Sequence, residues 1–558
     1  MTIKNKLFKQ MKQFYYLFAF LLIKGFSFSQ SKSLPAPSLK QPKLVIGIVV
    51  DQMRQDYLYR YWNKFGNGGF KKLINEGYFY KNAQYNYVPT YTGPGHASIY
   101  TGTSPATHGI IANDWFDKET KTMVYCTDDK NVKSIGAENK SGLMSPKNLL
   151  TTTIGDELKL NTNQQSKVFS VSLKDRSSIL PAGHSANGAF WFDGNSGKFI
   201  TSSHYMAALP KWLNDFNDLQ LHKKYLENGW QTLFPLNTYI ESLADHNSYE
   251  LAPNKKDSAI FPYQYKSFLA KNSFEILKYT PYGNSITKDI ALECLKSEKL
   301  GKGAHTDMLC ISFSSTDYVG HAYGPRSVEV EDVYLRLDKD LEELLNYINL
   351  SIGKENVIVF LTADHGVCDV PAHLIDVKIP GGYMDEIKLT KTLRTFCFNQ
   401  FKDSLVLALE NQQIFLNEDV FSILNLNKFN VEHSLANFLL TISGVAEAYP
   451  SDVLKFESYS EASFKSLIQK GYNHARSGNV VFSYNPAWMA HESKGTTHGA
   501  SYSYDTHVPL LFYGMGIKNG ATVKRVSITD IASTISTLLN ISFPNGNTGN
   551  PLIEILEK

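Results

Sequence analysis

Cysteine is scarce in this chain: the 558 residues include only Cys126, Cys294, Cys310, Cys368 and Cys397. Their number is odd, their spacing is wide, and no C-x-x-C pair occurs. These features exclude a zinc-ribbon or thioredoxin-type motif and argue against a disulfide framework. A single disulfide bond stays an alternative, because exported proteins fold in an oxidising environment. Cys310 lies inside the apolar segment DMLCISF, where we expect it to pack in the core.

Long apolar runs are also missing. The longest candidate is FYYLFAFLLI at residues 14–23, which is ten residues long, follows several lysines and precedes the segment GFSFSQ. A basic start, a short apolar run and small residues before a cleavage point are typical of a secretory signal peptide. The run is too short to cross a bilayer, and no later stretch reaches the length of a transmembrane helix. We therefore expect residues 1–29 to be a signal peptide and the protein to be exported, either periplasmic or secreted.

The chain has no strong excess of positive charge when the predicted signal peptide, residues 1–29, is left out of the count. The formal net charge is +3, and residues 1–29 carry five lysines and no acidic residue, so the mature chain is near −2. This balance gives no sign of a nucleic-acid partner.

The apolar segments that are present predict an α/β fold with a mostly parallel central sheet and helices on both faces. Six β-branched, apolar runs bounded by turns read as buried parallel strands: residues 43–50, 167–173, 307–313, 356–363, 479–484 and 508–514. Amphipathic helices are predicted at 327–350 and 527–540, the second with Ser527 or Thr529 as its N-cap. Strands alternating with helices over this length indicate one open α/β sheet.

The domain organisation is predicted from the places where the alternation of strands and helices is interrupted. We expect a linker at 30–42 and a single catalytic domain at 43–558. Residues of about 187–300 and 380–475 lack the strand-and-motif pattern, and we interpret them as insertions or caps on the sheet rather than independent domains.

Polar side chains follow four of the predicted strands. They are Asp51 after the first, Lys174 and Arg176 after the second, Asp317 and His321 after the third, and Asp364 and His365 after the fourth. Ligands of open α/β sheets bind outside the carboxyl ends of the strands, so these residues are expected to meet there.

Aspartate and histidine together are ligands for divalent metals. The spacing of Asp317 and His321 puts a carboxylate and an imidazole on one side of a helical turn. Asp364 and His365 are adjacent and can serve two different centres, and His498 lies in a Gly/Thr loop before another strand. Three aspartates and three histidines can hold two ions, and mixed nitrogen and oxygen ligation suits catalytic zinc. Two such ions can bind both the attacking and the leaving oxygen of a displacement at phosphorus.

The segment VPTYTGPGHASIYTG at 88–102 is rich in hydroxyl groups and glycine but contains no lysine or arginine. It lacks the G-K-[ST] ending of a Walker loop, so support for an anion must come from other segments. Thr92 stands directly before Gly93 and Pro94, where the chain can turn sharply into a helix. Thr90, before that turn, is the alternative nucleophile.

Six motifs in order resemble the alkaline phosphatase superfamily, in its nucleotide pyrophosphatase/phosphodiesterase branch: VVDQMR, TGPGHASIYTG, SLKDR, STDYVGH, TADHG and THGA. Within that branch the chain looks like the exported bacterial phosphate-irrepressible alkaline phosphatases. The match runs from about residue 43 to the C-terminus.

This resemblance implies two zinc ions per chain, one held by Asp317, His321 and His498 and the other by Asp51, Asp364, His365 and the Thr92 oxygen. It implies that Thr92 is the nucleophile and forms a phosphothreonine, and that Asn113, Lys174 and Arg176 contact the phosphoryl oxygens. The implied reaction is the hydrolysis of small phosphate monoesters to inorganic phosphate over a broad substrate range.

The charges also favour a monoester. Two zinc ions, three aspartates and an alkoxide sum to zero, so a dianion needs further positive charge, and the i, i+2 spacing of Lys174 and Arg176 would place both on one face of an extended segment. A phosphodiesterase or pyrophosphatase using the same metals is the main alternative. A sulfatase needs a C/S-x-P-x-R motif, and none of the cysteines has that context. An exported binding protein without catalysis is a third reading.

Overall fold

Ten strands form one large sheet in the computed structural model, which describes residues 41–251, 258–461 and 463–556. All strands of the described residues are β1 Leu44–Val50, β2 Tyr78–Gln84, β3 Asp114–Asp117, β4 Thr122–Tyr125, β5 Ser134–Ile135, β6 Val168–Ser172, β7 Gly188–Asp193, β8 Lys198–Ser202, β9 Asp307–Phe313, β10 Val357–Thr362, β11 Gly382–Tyr383, β12 Val406–Glu410, β13 Gln413–Leu416, β14 Val445–Pro450, β15 Val480–Tyr484, β16 Trp488–Met489, β17 His507–Gly514 and β18 Gly520–Ser527. The predicted signal peptide and residues 30–40 of the predicted linker lie outside the described residues.

The helices connect and cover these strands. They are α1 Tyr57–Arg60, α2 Phe70–Glu76, α3 Thr92–Thr101, α4 Pro105–His108, α5 Ile154–Asn161, α6 Asp175–Ala182, α7 Lys211–Asp218, α8 Leu221–Glu227, α9 Lys266–Ala270, α10 Tyr282–Ser297, α11 Ser315–Tyr323, α12 Val328–Ser351, α13 Pro371–Asp376, α14 Glu386–Phe401, α15 Lys428–Leu439, α16 Ser451–Phe456, α17 Phe464–Gly471, α18 Ser503–Thr506 and α19 Asp530–Leu539. Among the residues described, none of these helices is both long and apolar enough to cross a membrane.

The strands of the large sheet follow the order β18-β2-β17-β10-β1-β9-β6-β7-β8-β5. Its centre, β10-β1-β9-β6-β7, is parallel throughout. Every residue of β1, β6, β9 and β10 is buried. Because successive side chains of a strand point to opposite faces, both faces of this centre are covered. The predicted α/β class with a mostly parallel sheet is confirmed.

The register aligns the carboxyl ends of the central strands. Val49 of β1 pairs with Ser312 of β9 and with Thr362 of β10, and Ser172 of β6 pairs with the same Ser312. The residues that follow these four strands therefore start from one edge of the sheet.

Two of the six strands predicted to be parallel have a different role. β17 pairs antiparallel with both β10 and β2. β15 belongs to a separate antiparallel sheet of order β12-β13-β15-β14. The prediction was wrong here because an apolar run reports burial and carries no information about strand direction or about which sheet the strand joins.

Both predicted helices are present, but the second is not capped by the predicted side chains. The predicted helix at 327–350 is α12, and the Ser327 hydroxyl accepts a hydrogen bond from Val330 N–H as a cap. The second predicted helix is α19, which begins at Asp530 without a side-chain cap from Thr529 or Ser527. The Asp530 carboxylate instead accepts the backbone N–H of Ser527 and of Asn550.

The two proposed insertions contribute differently to the fold. The first, at 187–300, supplies β7 and β8 to the large sheet. The second, at 380–475, forms most of the smaller sheet and contributes to a separate apolar cluster that includes Leu393, Leu416 and Leu435. Their boundaries as caps stay a prediction.

The first insertion is anchored to α12 by one buried carboxylate. Asp332 is fully buried and accepts hydrogen bonds from Trp230 Nε1, Leu233 N–H and the Tyr239 hydroxyl, while it also pairs with Arg336 of its own helix.

Replacing Asp332 with alanine is expected to lower the free energy of unfolding by about 3–5 kcal/mol, because the buried partners would lose their acceptor. Urea denaturation followed by circular dichroism measures this loss. Glu343→Ala on the same helix is the control: its side chain is 63% exposed, so the loss should stay below about 1 kcal/mol. Equal losses in the two variants would contradict the anchoring role.

Candidate active site

The predicted ligand residues meet at the carboxyl edge of the central strands. Asp51 directly follows β1, Asp364 and His365 follow β10, and Asp317 follows β9 within the first turn of α11. All four side chains are buried. A lone buried aspartate is costly, so the close approach of three points to a site for cations.

Two groups of three side chains have the geometry of metal sites. Asp317, His321 and His498 form one group, and Asp51, Asp364 and His365 form the other; within each, one ligand atom per residue lies within 4.8 Å of the others. In the first group His321 Nε2 lies 3.1 Å and His498 Nε2 3.7 Å from Asp317 Oδ1. In the second, His365 Nε2 lies 3.5 Å from both Asp51 Oδ1 and Asp364 Oδ2. The grouping is the one that the family resemblance implied.

Backbone carbonyls orient all three histidines in the same way. The Nδ1 atoms of His321, His498 and His365 lie 2.7, 2.7 and 2.9 Å from the carbonyl oxygens of Thr496, Thr90 and Gly366. A proton on Nδ1 donates to the carbonyl and leaves a lone pair on Nε2, which faces the carboxylates. The pKa of His498 is lowered to about 3 by burial and by the neighbouring His321, and burial also lowers the pKa of His365. Neutral rings are the form that ligates metal, and burial favours this form in His365 and His498.

The carboxylates carry unsatisfied oxygens. Asp51 Oδ1 and Asp364 Oδ2 are buried and have no hydrogen-bond partner. The pKa of Asp51 is raised to about 6, first by burial and then by the Asp317 carboxylate. Burial and the charge of Asp51 raise the pKa of Asp364 well above its usual range. Orphaned, buried oxygens beside free imidazole nitrogens fit divalent metal ions, which would satisfy both.

Lys174 lies between the two groups. Its ammonium is 2.6 Å from Asp51 Oδ2, 2.6 Å from Asp317 Oδ2 and 3.5 Å from Thr92 Oγ1. Burial opposes the charged form, but these carboxylates outweigh it and raise the pKa of Lys174. The lysine is therefore a fixed cation within reach of any group attached to Thr92.

Arg176 differs from the sequence-based expectation. Residues 174–176 are not an extended segment, because β6 ends at Ser172 and α6 begins at Asp175, with Lys174 as its N-cap. The i, i+2 argument for one shared face was therefore wrong. Arg176 Nη1 lies 3.0 Å from the Tyr125 hydroxyl, and its buried Nε has no hydrogen-bond partner.

The nucleophile candidate stands at the start of a helix. Thr92 is the first residue of α3, and its Oγ1 lies 3.5 Å from His365 Nε2. The N–H of Gly93 donates to Asn113 Oδ1 at 2.8 Å, which leaves the amide NH₂ of Asn113 available as a donor. The positive end of the helix dipole at this terminus favours an anion.

The alternative, Thr90, is placed differently. Its hydroxyl lies 3.4 Å from the Ala500 carbonyl, and its own carbonyl holds His498. The Thr90 hydroxyl is thus engaged with the backbone, whereas that of Thr92 faces His365 and Lys174.

Two residues beside the ligands escaped the sequence analysis. His96 lies 2.9 Å from the Thr92 carbonyl through Nδ1 and 2.9 Å from Ser312 Oγ through Nε2, and burial lowers its pKa to about 3. Its position four residues after Thr92 in the helix was an available signal. Gln52 donates to Asp317 and Asp364, and glutamine after a strand carries no comparable signal.

Known proteins with similar sequences cover nearly the whole chain. The alkaline phosphatase PhoV of Synechococcus elongatus is 45% identical over 93% of this chain and 94% of its own length. A protein of Myroides odoratus named a calcium-transporting ATPase is 43% identical over 94% and 96%. The crystal structure of wild-type alkaline phosphatase PafA superposes with a TM-score of 0.90 at 42% identity, covering 93% of this chain and all of that one.

The sequence profile of one family spans most of the site. It matches residues 45–508, a range that begins in β1, ends in β17 and includes both ligand groups. This chain therefore belongs to the type I phosphodiesterase / nucleotide pyrophosphatase family.

Proposed function

We propose that the protein is an exported alkaline phosphatase with two zinc ions, which hydrolyses phosphate monoesters through a phosphothreonine on Thr92. The observation that carries this proposal is the meeting of two ligand groups and the Thr92 hydroxyl at one sheet edge. The similarity to alkaline phosphatases over more than nine tenths of the chain supports the monoester assignment.

Asp317, His321 and His498 would hold one zinc, and Asp51, Asp364 and His365 the other, with Thr92 Oγ1 as a further ligand. Bound divalent metals lower the pKa of a coordinated hydroxyl and stabilise negative charge on phosphoryl oxygens. Mixed imidazole and carboxylate ligation favours zinc over magnesium or calcium.

The proposed reaction has two steps, and residues of the chain act in both. Thr92 loses its hydroxyl proton to solvent and attacks as the alkoxide; its bond to phosphorus forms, the bond from phosphorus to the ester oxygen breaks, and that oxygen takes a proton from solvent as the alcohol leaves. Water next attacks phosphorus and gives up a proton to solvent, the bond to Thr92 breaks to restore the alkoxide, and inorganic phosphate leaves. The amide of Asn113, the N-terminus of α3 and the cations Lys174 and Arg176 would stabilise the phosphoryl oxygens.

A monoester fits the charges better than a diester. A monoester dianion carries one more negative charge and exposes one more oxygen. Lys174 lies 3.5 Å from Thr92 Oγ1, and Arg176, two residues further along the chain, would supply a second cation. A phosphodiesterase remains the second candidate function, because the matching family is described as type I phosphodiesterases and nucleotide pyrophosphatases.

Replacing Thr92 with alanine is expected to lower phosphatase turnover more than about 1000-fold, because the variant lacks the hydroxyl that faces His365 and Lys174. A chromogenic phosphate monoester measures turnover, and zinc analysis checks that the metals remain. Thr90→Ala is the matched control and should keep most activity. If Thr90→Ala lost activity while Thr92→Ala kept it, the nucleophile would be Thr90.

Replacing Lys174 and Arg176 together with alanine is expected to slow monoester hydrolysis about 100-fold or more and diester hydrolysis less than about tenfold, because the lost cations meet the extra charge of the monoester. kcat/KM for a matched ester pair measures the difference. The double variant Lys223→Ala, Lys224→Ala on α8 removes the same charge elsewhere and should change neither rate. Equal losses for both esters would favour the diesterase.

Removing metal with a chelator is expected to abolish turnover, and adding zinc should restore it, since the alkoxide and both ligand groups depend on the ions. Elemental analysis of the purified protein should give two zinc ions per chain. Full turnover by protein shown to be metal-free would refute the metal mechanism, and no turnover with any metal would favour a binding protein.

A further inference from the structure

Gln52 is held in a backbone conformation that glutamine rarely adopts. It directly follows Asp51, is 2% exposed and has a φ of 64°, in the left-handed region. Such strain in a buried residue persists only where surrounding contacts impose it, and it is commonly found at functional sites.

The contacts of Gln52 join the two ligand groups. Its backbone N–H donates to Asp364 Oδ1 at 3.1 Å, and its side-chain Nε2 donates to Asp317 Oδ1 at 2.8 Å. Asp364 belongs to one group and Asp317 to the other, so a single residue fixes a carboxylate in each.

These hydrogen bonds also decide which oxygens remain free. Asp364 Oδ1 is occupied by Gln52 N–H, whereas Asp364 Oδ2 has no hydrogen-bond partner and lies 3.5 Å from His365 Nε2. Asp317 is held from both sides, by Gln52 at Oδ1 and by Lys174 at Oδ2. The carboxylates are therefore oriented before any ion binds.

Gly320 provides the space that the Gln52 amide occupies. It lies in α11 between Asp317 and His321, and a Cβ at this position would lie 1.9 Å from Gln52 Oε1. A methyl group here would push aside the end of a flexible side chain rather than backbone, so the fold should tolerate it while the amide moves.

We propose that Gln52 is a positioning residue that sets the orientation of the two metal-ligand groups relative to each other, and that Gly320 is required to admit its amide. This inference rests on the proposed two-metal function. Outer hydrogen bonds to ligands commonly contribute about 10- to 100-fold to metal affinity.

The test titrates zinc into the metal-free, full-length protein by calorimetry. In Gln52→Ala, one of the two zinc equivalents should bind about 10- to 100-fold more weakly, because Asp317 loses its donor. The other equivalent should change less, because the backbone N–H to Asp364 remains.

Gln52→Gly separates positioning from folding. Glycine accepts a positive φ without strain, so the metal-free Gln52→Gly variant should be more heat-stable than Gln52→Ala, yet it should bind zinc as weakly. Gln164→Gly is the matched control, since Gln164 is exposed with a φ of 67°. It should keep both zinc affinities.

Gly320→Ala should weaken the same zinc equivalent as Gln52→Ala. In the Gln52→Ala background it should add little, because the colliding amide is already gone. Additive losses would overturn the link between the two residues. Wild-type zinc affinities in both Gln52 variants would overturn the positioning role, whereas a wild-type protein that bound no zinc would instead refute the proposed function and with it this inference.

Discussion

Three aspartates buried within one small volume are the constraint on which the site depends. Asp51, Asp317 and Asp364 repel one another when they are ionised and have lost most of their contact with water, so positive charge inside their pocket stabilises the ionised carboxylates. The ammonium of Lys174 supplies one such charge, at 2.6 Å from two of the three. Two divalent ions would supply more, and the same concentration of charge would then bind and activate a phosphate ester.

The three histidines of the candidate metal groups are held by backbone carbonyls. Each histidine is oriented by a carbonyl, and the carbonyl that orients His498 belongs to Thr90, two residues before the proposed nucleophile. The loop that carries Thr92 and the loop that carries His498 are therefore connected directly. Such preorganisation lowers the cost of reaching the reactive geometry. The smaller sheet also reaches this region, since Asn411 at its β12–β13 turn donates to the Asp114 carbonyl, next to Asn113.

Much of this arrangement could be read from residue patterns. Apolar runs located β1, β6, β9 and β10, and the polar residues after them located the edge at which the candidate ligands meet, because parallel strands end together. The i, i+4 spacing placed Asp317 and His321 on one side of α11. The direction of β17, the separate sheet of β15 and the helical setting of Arg176 could not be read, because each depends on which segments pack together rather than on local composition.

The sequence by itself determined which chemistry is available, because its motifs contain the aspartates, histidines, threonine and cations that the reaction needs. Only the tertiary structure decided which of them lie close enough to form a candidate metal group. It brought His498 to Asp317 across 181 positions of the chain, turned the Thr90 hydroxyl toward Ala500, and placed Gln52 between both groups. The physical reason is that ligand geometry depends on distances of a few ångströms, and these are set by strand register and loop hydrogen bonds between residues far apart in the chain.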